Sequence, residues 1–115
     1  MSDIIRAISI RQPYAELILS GKRHVEYRGY KTNIRERVYL YASLTEDRND
    51  IYDLIDEDKI PLPKGYIIGT VEILECKPLP YSTHCYEWCL GNARRFDKYL
   101  KPVNHPLPGI WRPEF

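Results

Sequence analysis

Apolar and polar residues alternate in short runs along most of this chain, with turn residues between them. Arg6–Ile10 sets Ile8 and Ile10 against Ser9, the period-two pattern of a strand. Pro13 then suits a helix's first turn, Tyr14, Leu17 and Ile18 recur at helical spacing, and Gly21 reads as a C-terminal cap. The charged octapeptide from Gly21 to Arg28 leads into a second strand. Alternation there predicts His24, Glu26 and Arg28 on one face, with Val25 and Tyr27 pointing into the core. Arg37–Ala42 predicts a third strand, with Val38, Leu40 and Ala42 on one side and Tyr39, Tyr41 and Ser43 on the other.

Thr45–Lys59 has the apolar stripe of a helix in Ile51, Leu54 and Ile55, with Thr45 or Asp47 as N-cap and Pro61 and Pro63 beyond its end. Lys64-Gly65 makes a turn into Tyr66–Cys76, the strongest strand signal in the chain, where Gly69 predicts a bulge or sharp bend. Tyr86–Leu90 alternates like a strand, Gly91-Asn92 reads as a turn, and Phe96–Val103 as another strand. Pro106, Pro108 and Pro113 leave room only for a brief segment at Gly109-Ile110-Trp111. Five or six short, mostly antiparallel strands with two or three flanking helices define an α+β fold, a small open β-barrel rather than a doubly wound sheet.

The length of 115 residues and 43% hydrophobic content fit one domain, residues 1–115, with one modest core. A net charge of +1 argues against a nonspecific polybasic binder, but the charges are unevenly placed. Residues 1–40 carry eight Lys or Arg against four acids; residues 41–60 carry seven acids against Arg48 and Lys59. Such a chain has a basic end and an acidic end, which orients it in the field of an anion. Cys76, Cys85 and Cys89 are odd in number, and Cys85-x-x-x-Cys89 lacks a second pair to complete a zinc site. With His84 and His105 nearby, a mixed site is the lesser reading; free thiols in a reducing cytoplasm are the main one, with no metal or other cofactor. No segment reaches membrane-spanning length, and a cytoplasmic location is expected.

Ser9 to Ala15, then Gly21 to Arg28, Tyr30-Lys31-Thr32 and Arg35 to Ser43, resemble the ASCH domain (activating signal cointegrator homology). Gly69-Thr70-Val71-Glu72 and Gly109-Ile110-Trp111 fit that family's later strand and closing signature. The resemblance implies a barrel of the PUA-like superfamily, whose members mostly bind RNA or modified nucleobases in a cleft lined by the charged motif. Gly21, Glu26 and Arg28 fall on the motif's fixed positions; the motif's lysine falls on Arg23, with Lys22 at a free position. Some small relatives hydrolyse N4-acylated cytidines with a lysine and a threonine of this motif. Here Arg23 and Glu26 stand at those two places, and arginine cannot serve as a neutral base.

The implied partner is RNA, another single-stranded nucleic acid or a nucleoside. Glu26 would accept a hydrogen bond from an exocyclic amine, and Arg28 would pair with it or meet a phosphate. Lys22 and Arg23 can bind phosphate or simply answer the helix dipole. Arg11 and Gln12 lie beside the motif, and Gln12 can read a base edge with donor and acceptor together. Tyr14, where the family usually has tryptophan, offers a stacking face, and Ser43 a hydroxyl at the rim. Lys31, Arg35 and Arg37 extend the basic surface toward phosphates, while Trp88 and Trp111 read as core. The alternative is a hydrolase of acylated cytidine or a ribonuclease, with Glu26 or His24 as base and Lys22 or Arg23 at the developing oxyanion. The acidic segment could instead meet a basic protein.

Overall fold

In the computed structural model the described residues are 3–45 and 62–115. Six strands and one helix follow in the order β1 (Ala7–Ile10), α1 (Tyr14–Leu19), β2 (Val25–Arg28), β3 (Arg37–Ala42), β4 (Tyr66–Pro78), β5 (Tyr86–Leu100) and β6 (Ile110–Trp111). They form one curled sheet, a half-barrel, in the order β2-β5-β4-β3-β1-β6. Every pairing is antiparallel except β1 with β3, which are parallel and joined through α1 and β2. Of the flanking helices expected, α1 is the one present among the described residues; the second, Thr45–Lys59, falls largely outside them.

Gly21 ends α1 as anticipated. It takes φ +83°, its N–H donates to the Ile18 carbonyl (3.1 Å), and the Lys22 N–H donates to the Leu17 carbonyl (2.9 Å). This is the double bond pattern of a Schellman cap, which satisfies two carbonyls the helix itself leaves open. Pro13 sits one position earlier than expected, as the N-cap.

The curl comes from bulges in the two long strands. Register shifts separate Ile67 from Gly69, Thr70 from Glu72 and Ile73 from Glu75 along the β4–β5 ladder. Each extra residue sharpens the local twist and bends the strand. A Cβ at Gly69 would run into the Arg94 carbonyl oxygen and the Leu19 side chain, so the absent side chain is what lets β4, β5 and α1 approach. Gly91-Asn92 is not a turn. β5 runs unbroken through it, and Asn92, at φ 52°, lies where the ladder shifts between Thr70–Arg94 and Glu72–Gly91. Phe96 onward therefore continues β5 rather than starting a new strand.

Ile8, Ile10, Ile18, Val38, Leu40, Val71, Trp88 and Leu90 pack the main core; Ala7, Tyr41, Ile67 and Trp111 form a second cluster on the opposite face of β1 and β3. The alternation in β3 holds, but both of its faces are covered. β1 is buried throughout, Ser9 included. Ser9 stays satisfied because its hydroxyl donates to the Leu107 carbonyl (2.7 Å) and accepts from the Trp111 indole N–H (2.8 Å).

Candidate ligand cleft

The half-barrel leaves an open seam between β2 at one edge and β1, near the other. Arg28 spans it. One terminal nitrogen donates to the Ser9 carbonyl of β1 (2.6 Å), while Nε donates to Glu26 Oε2 (3.1 Å). The same terminal nitrogen lies 2.9 Å from Glu26 Oε2, and the guanidinium carbon stands 5.7 Å from the Trp88 ring centre. Trp88 is fully buried, fixed by its indole N–H donating to the Tyr30 carbonyl (3.1 Å) and by an edge contact with the Tyr30 ring. An aromatic platform, a carbonyl and a carboxylate thus hold one guanidinium in place.

This placement reverses the expected facing of β2. The side chains of Glu26 and Arg28 are only 14% and 16% exposed and turn into the seam, whereas Tyr27 is 46% exposed and Val25 half-buried on the outer side. Cross-strand register agrees, since Glu26 stands opposite buried Trp88 and Tyr27 opposite Glu87. The polar pair faces inward because each member neutralises the other and the Ser9 carbonyl takes a further donor.

Above the pair lies a cleft of about 400 Å³ lined by Arg11, Tyr14, Arg23, Glu26, Tyr27 and Arg28. Arg23 follows the Schellman cap, which turns the chain from α1 toward β2; its Nε donates to the Val25 carbonyl (2.9 Å). Its guanidinium lies 4.5 Å from the Tyr14 ring centre and 5.8 Å from that of Tyr27. The lining therefore carries three guanidiniums against one carboxylate, with two phenol rings. Such a cleft attracts anionic or acceptor-rich ligands and presents flat surfaces for stacking.

Several expected members stand elsewhere. Gln12 is fully buried: its amide N–H donates to the Pro63 carbonyl (2.9 Å), and its amide oxygen accepts from the Glu16 N–H (3.0 Å). It pins the start of α1 and has no edge to offer a base. His24 is exposed and lines a separate hollow of about 170 Å³ beside Gly21 and Asn92, so it does not join Glu26 and Arg28. Lys22 is exposed outside the cleft lining, and Gly21 acts through the cap. Ser43 follows β3 directly, its N–H donating to the Ile10 carbonyl (3.0 Å), and is also outside that lining.

Arg37 is engaged in the sheet. It donates to the Thr70 hydroxyl (2.8 Å), the Asn92 carbonyl (2.9 Å) and Glu72 (3.0 Å), bonds that tie three strands together across the Asn92 bulge. Arg35 is exposed but donates to the carbonyls of Thr32 and Ile34, while Lys31 is exposed on the same loop. Tyr27 is the residue the alternation missed, because a tyrosine between charged neighbours reads as core. Outside the cleft, Glu16 accepts from Arg95, which raises the guanidinium pKa further above its ordinary value. Burial, with Glu87 beside it, pushes the Cys89 thiol up. Among the described residues no group of three or more metal-type side chains is gathered, and no helix is long and apolar enough to cross a membrane.

A curled sheet whose seam is clasped by an arginine, with a cationic aromatic cleft above the clasp, defines a small half-barrel protein with a charged cleft. A family model for the ASCH domain matches residues 8–105, and the chain belongs to that family. A comparison with curated proteins finds no match.

Proposed function

We propose that this chain is a nucleic-acid-binding module that holds an unpaired base, of RNA or of another single strand, in the cleft above Glu26 and Arg28. Membership of the ASCH family is consistent with that reading. The observation that carries it is the cleft's composition: a Glu26–Arg28 pair fixed at its base and Arg23 held against Tyr14 with Tyr27 nearby. The carboxylate accepts from an exocyclic amine, the guanidiniums donate to base acceptors or a phosphate, and the rings take the flat face. A cleft of about 400 Å³ lies within the ordinary range for small-ligand sites. Single strands suit it because their bases are already unstacked. Three free thiols fit a reducing compartment such as the cytoplasm.

Binding is favoured over hydrolysis by where the ionisable groups lie. Among the described residues lining the cleft, Glu26 is the one carboxylate and already accepts from Arg28, while Lys22 and His24 are outside that lining. The test is fluorescence anisotropy with labelled random-sequence RNA and single-stranded DNA, alongside assays for turnover of RNA and of N4-acetylcytidine. Glu26→Gln is expected to weaken binding about tenfold or more, the scale of one lost charged hydrogen bond. Equal affinity of the folded variant and the parent would remove the cleft from the account. Turnover abolished by Glu26→Gln would make this an enzyme instead.

A further inference from the structure

A second concavity of about 400 Å³ lies where the end of β3, the start of β4 and the segment after β5 meet. Its walls include Lys64, Lys101, His105, buried Tyr41 and Asn104, whose amide is bonded to the Arg112 carbonyl and the Glu114 N–H, with no carboxylate among the described residues that line it. Lys64 and Lys101 are both exposed, and the Lys101 ammonium stands 5.4 Å from the ring centre of exposed Tyr66. Gly65 shapes the floor: at φ +84° it turns the chain so that its N–H donates to the Ala42 carbonyl (2.7 Å), and a Cβ there would press on Leu44 (2.8 Å). The groove thus gathers two exposed ammonium groups and the exposed His105 side chain, the kind of set that meets a phosphodiester, with the exposed ring of Tyr66 beside Lys101 just outside the lining.

The groove is tied to the cleft by a short covalent and hydrogen-bonded path. Gln12, next to cleft residue Arg11, donates to the carbonyl of Pro63, next to groove residue Lys64. Adding that 2.9 Å bond to the reach of one side chain and two Cα steps leaves Arg11 and Lys64 at most about 18 Å apart at Cα. That is about five nucleotides at a stacked rise of ~3.4 Å, and fewer when the strand is extended. Buried Gln12, with no edge to offer a base, is the brace that holds the two concavities in register.

We infer that the Lys64–Lys101 groove is a second subsite for the same ligand, gripping the phosphodiester backbone of a single strand whose base occupies the cleft. This rests on the nucleic-acid reading of the cleft. It also moves the backbone path away from Arg37, which the sheet consumes.

The test compares a labelled random-sequence dinucleotide with a labelled random-sequence octanucleotide of the same chemistry, titrated across a salt series. The proteins are the full chain, its Lys64→Gln/Lys101→Gln double variant and Glu26→Gln, each checked for fold by circular dichroism. The double variant is expected to bind the octanucleotide about tenfold or more weaker, with a salt slope shallower by about 1.4, two contacts at ~0.7 each. Its dinucleotide affinity should match the parent's, whereas Glu26→Gln should weaken both ligands. Parental octanucleotide affinity and slope in the double variant overturn the groove alone and leave the cleft standing. A parent that binds neither oligonucleotide overturns both.

Discussion

Two arginines of this chain have nearly the same surroundings on paper and different consequences. Arg28 and Arg37 are both mostly covered, at 16% and 19% side-chain exposure, and each pairs with a glutamate. Arg37 sends its remaining bonds to Thr70 and the Asn92 carbonyl, inside the β3–β4–β5 ladder. Arg28 sends its remaining bond across the seam to Ser9 and stands at the floor of the cleft. An Arg–Glu pair is therefore not a site by composition. The proposed site is the pair at which the sheet ends and leaves space beside it.

The comparison can be broken first through stability. Arg28→Ala leaves Glu26 with a mostly buried charge and unclasps the seam, so an unfolding free-energy loss of about 2–4 kcal/mol is expected in denaturant titration. Arg37→Ala should cost less, about 1–2 kcal/mol, because Glu72 is 36% exposed and water can replace part of what it loses. An equal or reversed order would show that the seam is not under the load assigned to it. Tyr27→Ala divides the two functions more sharply. The ring is 46% exposed, so stability should change by less than about 1 kcal/mol. Affinity for single-stranded RNA should nevertheless drop about fivefold or more, the scale of one lost stacking face.

The smallest effect probes the outer face on which Tyr27 stands. Cys89 shares that face opposite Val25, and its thiol pKa is raised by burial and then by Glu87. A raised pKa means less thiolate at a given pH, so Cys89 should be alkylated more slowly than a free thiol at mildly alkaline pH. Glu87→Gln removes one cause and should speed the reaction a few-fold. No acceleration would show that Glu87 does not raise the thiol's pKa.

The facing of β2 is where the sequence was hardest to read. Ile8 and Ile10, the Val38-Leu40-Ala42 alternation, the Gly21 cap and the need for glycine at position 69 were legible because each depends on local periodicity or on one residue's backbone freedom. The direction of β2 was not. Alternation gives two faces but not which one is inside, and a pair of opposite charges can be buried as stably as a tyrosine can be exposed. Gly91-Asn92 misled for a related reason: a positive φ serves a hairpin turn and a bulge alike, and only the length of the partner strand decides between them. Likewise Gln12 has the same donor and acceptor whether it meets a base or pins Pro63 and Glu16. The resemblance to the ASCH domain pointed to the motif, and Glu26 and Arg28 of that motif line a concavity, but it could not separate Arg23, which lines the same concavity, from neighbouring Lys22 and His24, which do not.

The most direct test of the cleft follows the arginine Nε–H resonances by nuclear magnetic resonance while a short single-stranded RNA is titrated into the protein. Arg28 and Arg23 should shift with saturation, while Arg37, held by Thr70, Asn92 and Glu72, should stay in place through the same titration. Saturating shifts at Arg37 with Arg28 and Arg23 unmoved would contradict the account.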